Sequence, residues 1–208
     1  MIINEIQEFS KTKCKLIFED FSAIVLYKKD LKRYSLLEGT EVSDKQMKLL
    51  MEEILPYRAK SRCMKLLQSK DYTETEIRGK LHTDGYPETV IEIAVAYLYS
   101  FHYLDDARYA EAYYRSRCLK KSRKQIIIEL QQKGINKELI FDTLERVCSD
   151  APEEDELQCI SKLLIKKKYS DCEADLTERE KMKAYLFRKG FQIDNINNCM
   201  SKFDWKNM

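Results

Sequence analysis

Apolar residues recur along most of this chain with the 3.6-residue period of helices that bury one face. The clearest case is Leu139, Ile140, Thr143, Leu144 and Val147, which fall at i, i+1, i+4, i+5 and i+8 and make a single stripe. Just before it, Glu129-Leu130-Gln131-Gln132-Lys133-Gly134-Ile135 reads as a helix end: an inward Leu, a Lys in the last turn, then a Gly stop. Further back, Leu104-Asp105-Asp106-Ala107-Arg108-Tyr109-Ala110 reads as a helix start, with Asp at the cap and first turn where its charge suits the helix dipole. Phe101 to Val147 is therefore predicted to be a three-helix unit.

The same spacing returns on either side. Gly85, Gly134 and Gly190 stand 49 and then 56 residues apart, which suggests an internal repeat. Eight residues before them are Ile77, Ile126 and Met182, and four before are Leu81, Leu130 and Leu186. One after are Tyr86, Ile135 and Phe191, six after are Ile91, Ile140 and Ile196, and thirteen after are Leu98, Val147 and Phe203. Equivalent apolar positions predict three cores closed with one geometry. The glycines fit helix C′ sites that need positive φ. Each middle helix is expected to open on a capping box, at Thr73-Glu74-Thr75-Glu76, Ser122-Arg123-Lys124-Gln125 and Thr177-Glu178-Arg179-Glu180. The third box lies one residue further from its glycine. Asp150 to Glu156, with Pro152, is read as the acidic link into the third unit and the start of its first helix.

The N-terminal part has a different period. Lys13–Glu19 and Ala23–Lys28 are short β-branched or aromatic runs separated by Asp20-Phe21-Ser22, so they predict a β-hairpin. Ile2–Glu8 is placed as an added edge strand, and Leu31–Leu37 fits a short helix as well as a loop. Gly39 is a stop. Ser43 then caps a helix carrying Met47, Leu50, Met51 and Ile54 on one face, expected to end before Pro56.

Composition changes this picture little. Lys and Arg number 37 against 35 Asp and Glu, a formal net charge of +2, so total charge predicts no partner and only its distribution could. Charged residues at 35%, with 5 Gly and 3 Pro, favour helices. No apolar run reaches membrane-spanning length, and the N-terminus does not read as a signal peptide. The 7 Cys are scattered without a C-x-x-C pair, as expected of reduced thiols in the cytoplasm, most of them in cores.

No catalytic signature is present. The glycines form no phosphate-cradling loop, His82 and His102 have no metal-ligand spacing, and Asp105-Asp106 point about 100° apart on a helix. No catalytic residue, metal site or cofactor is expected. The feature with chemical content is a basic set: Arg108, Arg115, Arg117, Lys120, Lys121, Arg123 and Lys124, opposed only by Glu111. Arg123 and Lys124 fall in a first helical turn, where positive charge opposes the dipole by roughly 0.3–1 kcal/mol each. The other two units carry Glu74-Thr75 and Glu178-Arg179 there. For any one of these residues a solvated surface is an even alternative. For the set, contact with phosphates or acidic side chains is favoured. Tyr97, Tyr99, Phe101, Tyr103, Tyr109, Tyr113 and Tyr114 crowd the same junction. Packing between the first two units is preferred for them over stacking on bases. Lys166-Lys167-Lys168 reads as a solvated helix end.

Unit two resembles the RecX family of bacterial regulatory proteins. The resemblance is carried by Leu104-Asp105-Asp106, Tyr109-Ala110, Arg115, Arg117, Ile126, Glu129-Leu130 and Lys133-Gly134-Ile135. Unit one is similar in Glu76 through Leu81 and Gly85-Tyr86. About three-quarters of the chain is covered, more weakly in unit three, which has Tyr185-Leu186 in place of the Glu-Leu pair. Ser122 stands where the family often has Gly, and His102-Tyr103 replaces a Gly-containing lead into the Asp pair. The resemblance implies a non-enzymatic modulator of the RecA recombinase, built of tandem three-helix repeats, that lies in the groove of the RecA filament on DNA and usually inhibits it. Together these readings predict a mainly α protein: an N-terminal β-hairpin and helix (1–56) followed by three three-helix repeats (57–103, 104–150 and 151–208) in an elongated array. It is expected to be a cytoplasmic monomer that binds the RecA filament, with DNA a weaker partner and no membrane. The alternative is a nucleic-acid-binding helical module independent of RecA.

Overall fold

The computed structural model describes residues 1–20, 22–147, 152–201 and 203–204. The chain is mainly helical with an N-terminal three-stranded antiparallel sheet, and it divides into two compact units, Met1–Asp105 and Asp106–Met208.

In the first unit the sheet comprises β1 (Ile3–Glu8), β2 (Lys13–Phe18) and β3 (Ala23–Tyr27), in the order β1-β2-β3. The expected hairpin is thus β2 and β3, with Cys14 opposite Leu26 and Leu16 opposite Ile24, and the expected edge strand is β1. Alternation sends Leu16, Phe18, Ile24 and Leu26 into the core. The other face presents Lys13 and Val25 to the end of a later helix. Helix α1 (Lys28–Arg33) follows β3 without a loop. It starts earlier than Leu31 and stops at Ser35, whose φ of 52° cannot continue a helix.

Ser43 caps α2 (Asp44–Leu49) through a complete capping box with Gln46. The stop expected before Pro56 does not occur. A π turn over Leu50–Ile54 carries α2 directly into α3 (Leu55–Leu67), and the Leu55 amide reaches back five residues to the Leu50 carbonyl. Proline breaks a helix because it lacks an N–H and clashes with the carbonyl four residues back. The wider turn removes that clash, and it leaves both Leu50 and Leu55 buried.

Helices α4 (Glu74–Thr83) and α5 (Glu88–Ser100) complete the unit. The end of α4 meets the sheet. Asp84 pairs with Lys13 at 3.2 Å and with Arg62 of α3 at 2.7 Å. Gly85, at φ 82°, lies so close to β3 that a Cβ there would stand 2.4 Å from Val25 Cγ2.

The second unit holds α6 (Asp106–Arg117), α7 (Arg123–Gln132) and α8 (Lys137–Val147), then α9 (Pro152–Lys166), α10 (Leu176–Arg188) and α11 (Ile193–Met200). Each triplet closes its own core. The first is built on Ala110, Tyr114, Ile126, Leu130, Ile135, Ile140 and Leu144, the second on Ile160, Leu164, Leu186, Phe191, Ile196 and Met200. The predicted equivalences hold for Leu81, Leu130 and Leu186 and for Ile91, Ile140 and Ile196, all fully buried. Met182, Val147 and Phe203 are only half-buried.

All three glycine stops have positive φ. After each, an amide bonds back to the same carbonyl: Tyr86 to Leu81, Ile135 to Leu130 and Phe191 to Leu186. His102 and Lys168 take the same left-handed position at the ends of α5 and α9, with φ of 54°. His102 thus holds a left-handed conformation without glycine. The third capping box is corrected. Asp175, not Thr177, caps α10 by accepting from the Glu178 amide at 2.7 Å, and α10 has 13 residues where α4 and α7 have 10. The start of the acidic link falls outside the described residues, but its last member, Glu156, receives the Gln192 amide and the Asn195 side chain at the start of α11.

Candidate interaction surface

The basic set is carried by α6, the elbow after it, and the first turn of α7. Ala110 and Tyr114 turn one face of α6 into the core, which leaves Arg108 and Arg115 on the outward side of the helix. They lie seven residues apart, about 10 Å along the axis. The Arg115 guanidinium pairs with Glu111 one turn back, at 2.9 Å. Arg117 lies over the Tyr113 ring, 5.2 Å from its centroid, and Tyr113 stacks on Tyr109.

Lys121 is not a free charge. Its ammonium pairs with Glu129 of α7, which also accepts from the Tyr113 hydroxyl at 2.8 Å. Burial alone would raise the Glu129 carboxyl, but the hydrogen bonds from Lys121 and Tyr113 outweigh it and hold the group below the ordinary carboxylate range. Burial and the same carboxylate push the Tyr113 hydroxyl up. Glu129 is therefore a second opposing acid beside Glu111. Its place eight residues beyond Lys121 gave no local sign that the two would meet. Lys121 belongs to the frame that fixes the elbow.

Four of the seven cations, Arg117, Lys120, Arg123 and Lys124, form no ion pair with a carboxylate among the described residues. They cluster along the chain between the last residue of α6 and the second of α7. The first turn of α7 carries no acid. Its cap is Ser122, which accepts from the Gln125 amide at 3.2 Å and donates to the Lys189 carbonyl at 2.6 Å. The elbow thus presents these cations around a helix N-terminus whose own dipole is also positive, a field suited to phosphate or carboxylate groups. By contrast, Arg78 in the first unit meets three carboxylates, Glu74, Glu88 and Glu92. Among the described residues no group of three His, Cys, Asp or Glu is placed to hold a metal, and no helix is long and apolar enough to cross a membrane.

The three triplets match, in order, the three helical domains of one family. Residues 59–98 match the RecX first three-helix domain, 105–144 the second and 153–200 the third. The regulatory protein RecX of Caldanaerobacter subterraneus subsp. tengcongensis is 32% identical over 79% of this chain and 80% of its own. The chain belongs to the RecX family. The RecX protein of Clostridium tetani is 27% identical over 95% of this chain and 91% of its own. A crystal structure of regulatory protein RecX shares the fold at a TM-score of 0.62, with 23% identity over 97% of this chain and 99% of that one. RecX from Lactobacillus salivarius superposes at 0.59 over 71% of this chain and 95% of that one. RecX proteins are non-enzymatic regulators that modulate RecA in recombination and repair.

Proposed function

We propose that this RecX chain acts in the cytoplasm, as a monomer, on the RecA nucleoprotein filament, and that the elbow between α6 and α7 is its principal contact. Four cations that form no ion pair with a carboxylate among the described residues support this reading. Two of them sit in a helical first turn where their charge opposes the dipole, so folding does not account for them. Arg108 and Arg115 extend the surface along α6, whereas Lys121 holds its shape. Residues 1–56, 57–103, 104–150 and 151–208 are taken as the segments of the array. Linked repeats let modest contacts to successive filament subunits add through effective concentration.

The test compares binding to RecA filaments and to bare DNA at matched salt, with ATP hydrolysis by RecA as the readout of modulation. Filament binding with reduced hydrolysis is expected. Strong, steeply salt-dependent binding to bare DNA with no effect on RecA would replace this reading with that of an independent nucleic-acid-binding module.

A further inference from the structure

A second surface in the Asp106–Met208 unit is unlike anything that folding or the elbow requires. A groove of about 540 Å³ runs between α7 and α10. It is lined by the apolar or aromatic side chains of Ile128, Tyr185 and Phe187 and by the cations Lys124, Arg188 and Lys189, with no Asp or Glu among the described lining residues. Phe187 is 63% exposed and Ile128 44% exposed. Lys124 and Arg188 have no ion-pair partner among the described residues. Lys189 rests over the Tyr185 ring, 5.8 Å from its centroid.

The repeat supplies an internal comparison. Three residues before the glycine stop, where the third repeat has Phe187, the first two have His82 and Gln131. Two before, where it has Arg188, they have Thr83 and Gln132. The three-helix fold therefore closes with polar, uncharged or weakly basic residues at these positions. Only the third repeat puts an exposed aromatic beside a cation there, and that aromatic lines a groove. The joint below is tightly held, because the Ser122 hydroxyl is bonded to the Lys189 carbonyl and Gly190 sits against Ser122 and Lys124.

We propose that the α7–α10 groove is a docking site for an acidic peptide segment of a protein partner, one with an apolar side chain flanked by carboxylates. The apolar anchor would cover Phe187 and Ile128, and the carboxylates would face Lys124, Arg188 and Lys189. Single-stranded nucleic acid fits less well. Tyr185 and Phe187 offer π faces, but Tyr185 already lies under Lys189 and Ile128 offers none, and the cations belong to one short groove rather than to a track along a strand. The inference goes beyond the filament reading. It shares Lys124 with the elbow, but Phe187 and Arg188 lie outside that set.

The test is fluorescence anisotropy on the full chain with three labelled probes. They are a short peptide of Asp and Glu around one Phe and one Leu, the same peptide with Asn and Gln, and a short oligothymidylate. The acidic peptide is expected to bind at least about tenfold more tightly than the neutral one. Phe187→Ser and Arg188→Glu should each weaken it by about tenfold while leaving the melting curve and filament binding unchanged, because both side chains are exposed. Equal affinity for the two peptides would overturn the proposal. So would indifference to Phe187→Ser, or oligothymidylate binding that displaces the peptide and is itself abolished by Phe187→Ser. If the peptide binds in this way but the chain ignores RecA filaments, the filament reading fails and the groove stands.

Discussion

The Ser122 hydroxyl donates a 2.6 Å hydrogen bond to the Lys189 carbonyl while accepting one from the Gln125 amide. One side chain thus caps the start of α7 and satisfies a carbonyl left open at the end of α10. The next residue, Gly190, has φ 87°, and a Cβ there would come within 2.8 Å of the same hydroxyl. The second and third repeats therefore share a joint at the point where Arg123 and Lys124 leave the surface.

Removing that hydroxyl should loosen the joint. Ser122→Ala loses a helix cap and a buried hydrogen bond, and is expected to destabilise the Asp106–Met208 unit by about 1–3 kcal/mol. Urea denaturation of variant and parent measures this. Coincident midpoints would show that the joint carries no stability.

The glycine stops offer a graded series. Gly39 has positive φ but open space around its Cβ position, whereas Gly85 has positive φ and a 2.4 Å overlap with Val25. Gly39→Ala should cost about 1–2 kcal/mol from backbone conformation alone. Gly85→Ala should cost about 1–3 kcal/mol more, because β3 must move. Gly134→Val, at φ 82°, should exceed roughly 1 kcal/mol because a β-branched residue resists that conformation. Thermal melts rank the three variants. Equal losses at Gly39 and Gly85 would remove the role assigned to the sheet contact.

Glu129 makes stability depend on acid. Its carboxyl is held below the ordinary value of 4.5 in the folded protein. The unfolded chain therefore binds the proton first, and stability rises with pH through this range. The contribution should be complete above the ordinary value and be lost as pH falls through the folded one. Glu129→Gln should flatten that part of the profile relative to the parent, and Lys121→Met should destabilise at neutral pH by leaving Glu129 without its cation. Melting temperatures collected from neutral pH to about pH 3 decide it; parallel profiles for parent and Glu129→Gln would count against the pairing.

Charge reversal at the elbow should separate binding from folding. Arg123→Glu with Lys124→Glu replaces two cations that have no carboxylate partner among the described residues with acids suited to a helix N-terminus. Stability should hold or rise slightly. Filament binding should weaken by roughly 1–3 kcal/mol for each charge-assisted hydrogen bond that the reversal removes. Reversal at the exposed Glu178 serves as the control for general charge effects, whereas reversal at Glu74 would also break its pair with Arg78. Unaltered inhibition of RecA by a folded variant would remove the elbow from the binding surface. Abolished binding to bare DNA with intact action on RecA would place it on phosphates instead.

The helices, the glycine stops and the threefold repeat were legible because each rests on short-range rules. A 3.6-residue apolar period names the buried face, and positive φ after the last turn favours Gly. The same rules misplaced two helix limits. Pro56 reads as a stop because the local clash is all the sequence displays; burial of both Leu50 and Leu55 is what the π turn secures. Thr177 reads as the cap because it matches the box pattern, although one residue out of step with its glycine; Asp175 caps the helix instead, and α10 runs longer than α4 and α7. The basic residues themselves can be named from the chain. Which of them are already paired cannot, because Lys121 meets Glu129 across the elbow and Arg117 lies on Tyr113. Likewise the bond between Ser122 and Lys189, 67 residues apart, and the groove between α7 and α10 come only from packing. Periodicity acts within a helical turn or two, and so the sequence by itself determined the elements and their inward faces. Pairing of charges and the making of grooves depend on which outward faces the folded chain brings together, and that was decided only by the tertiary structure.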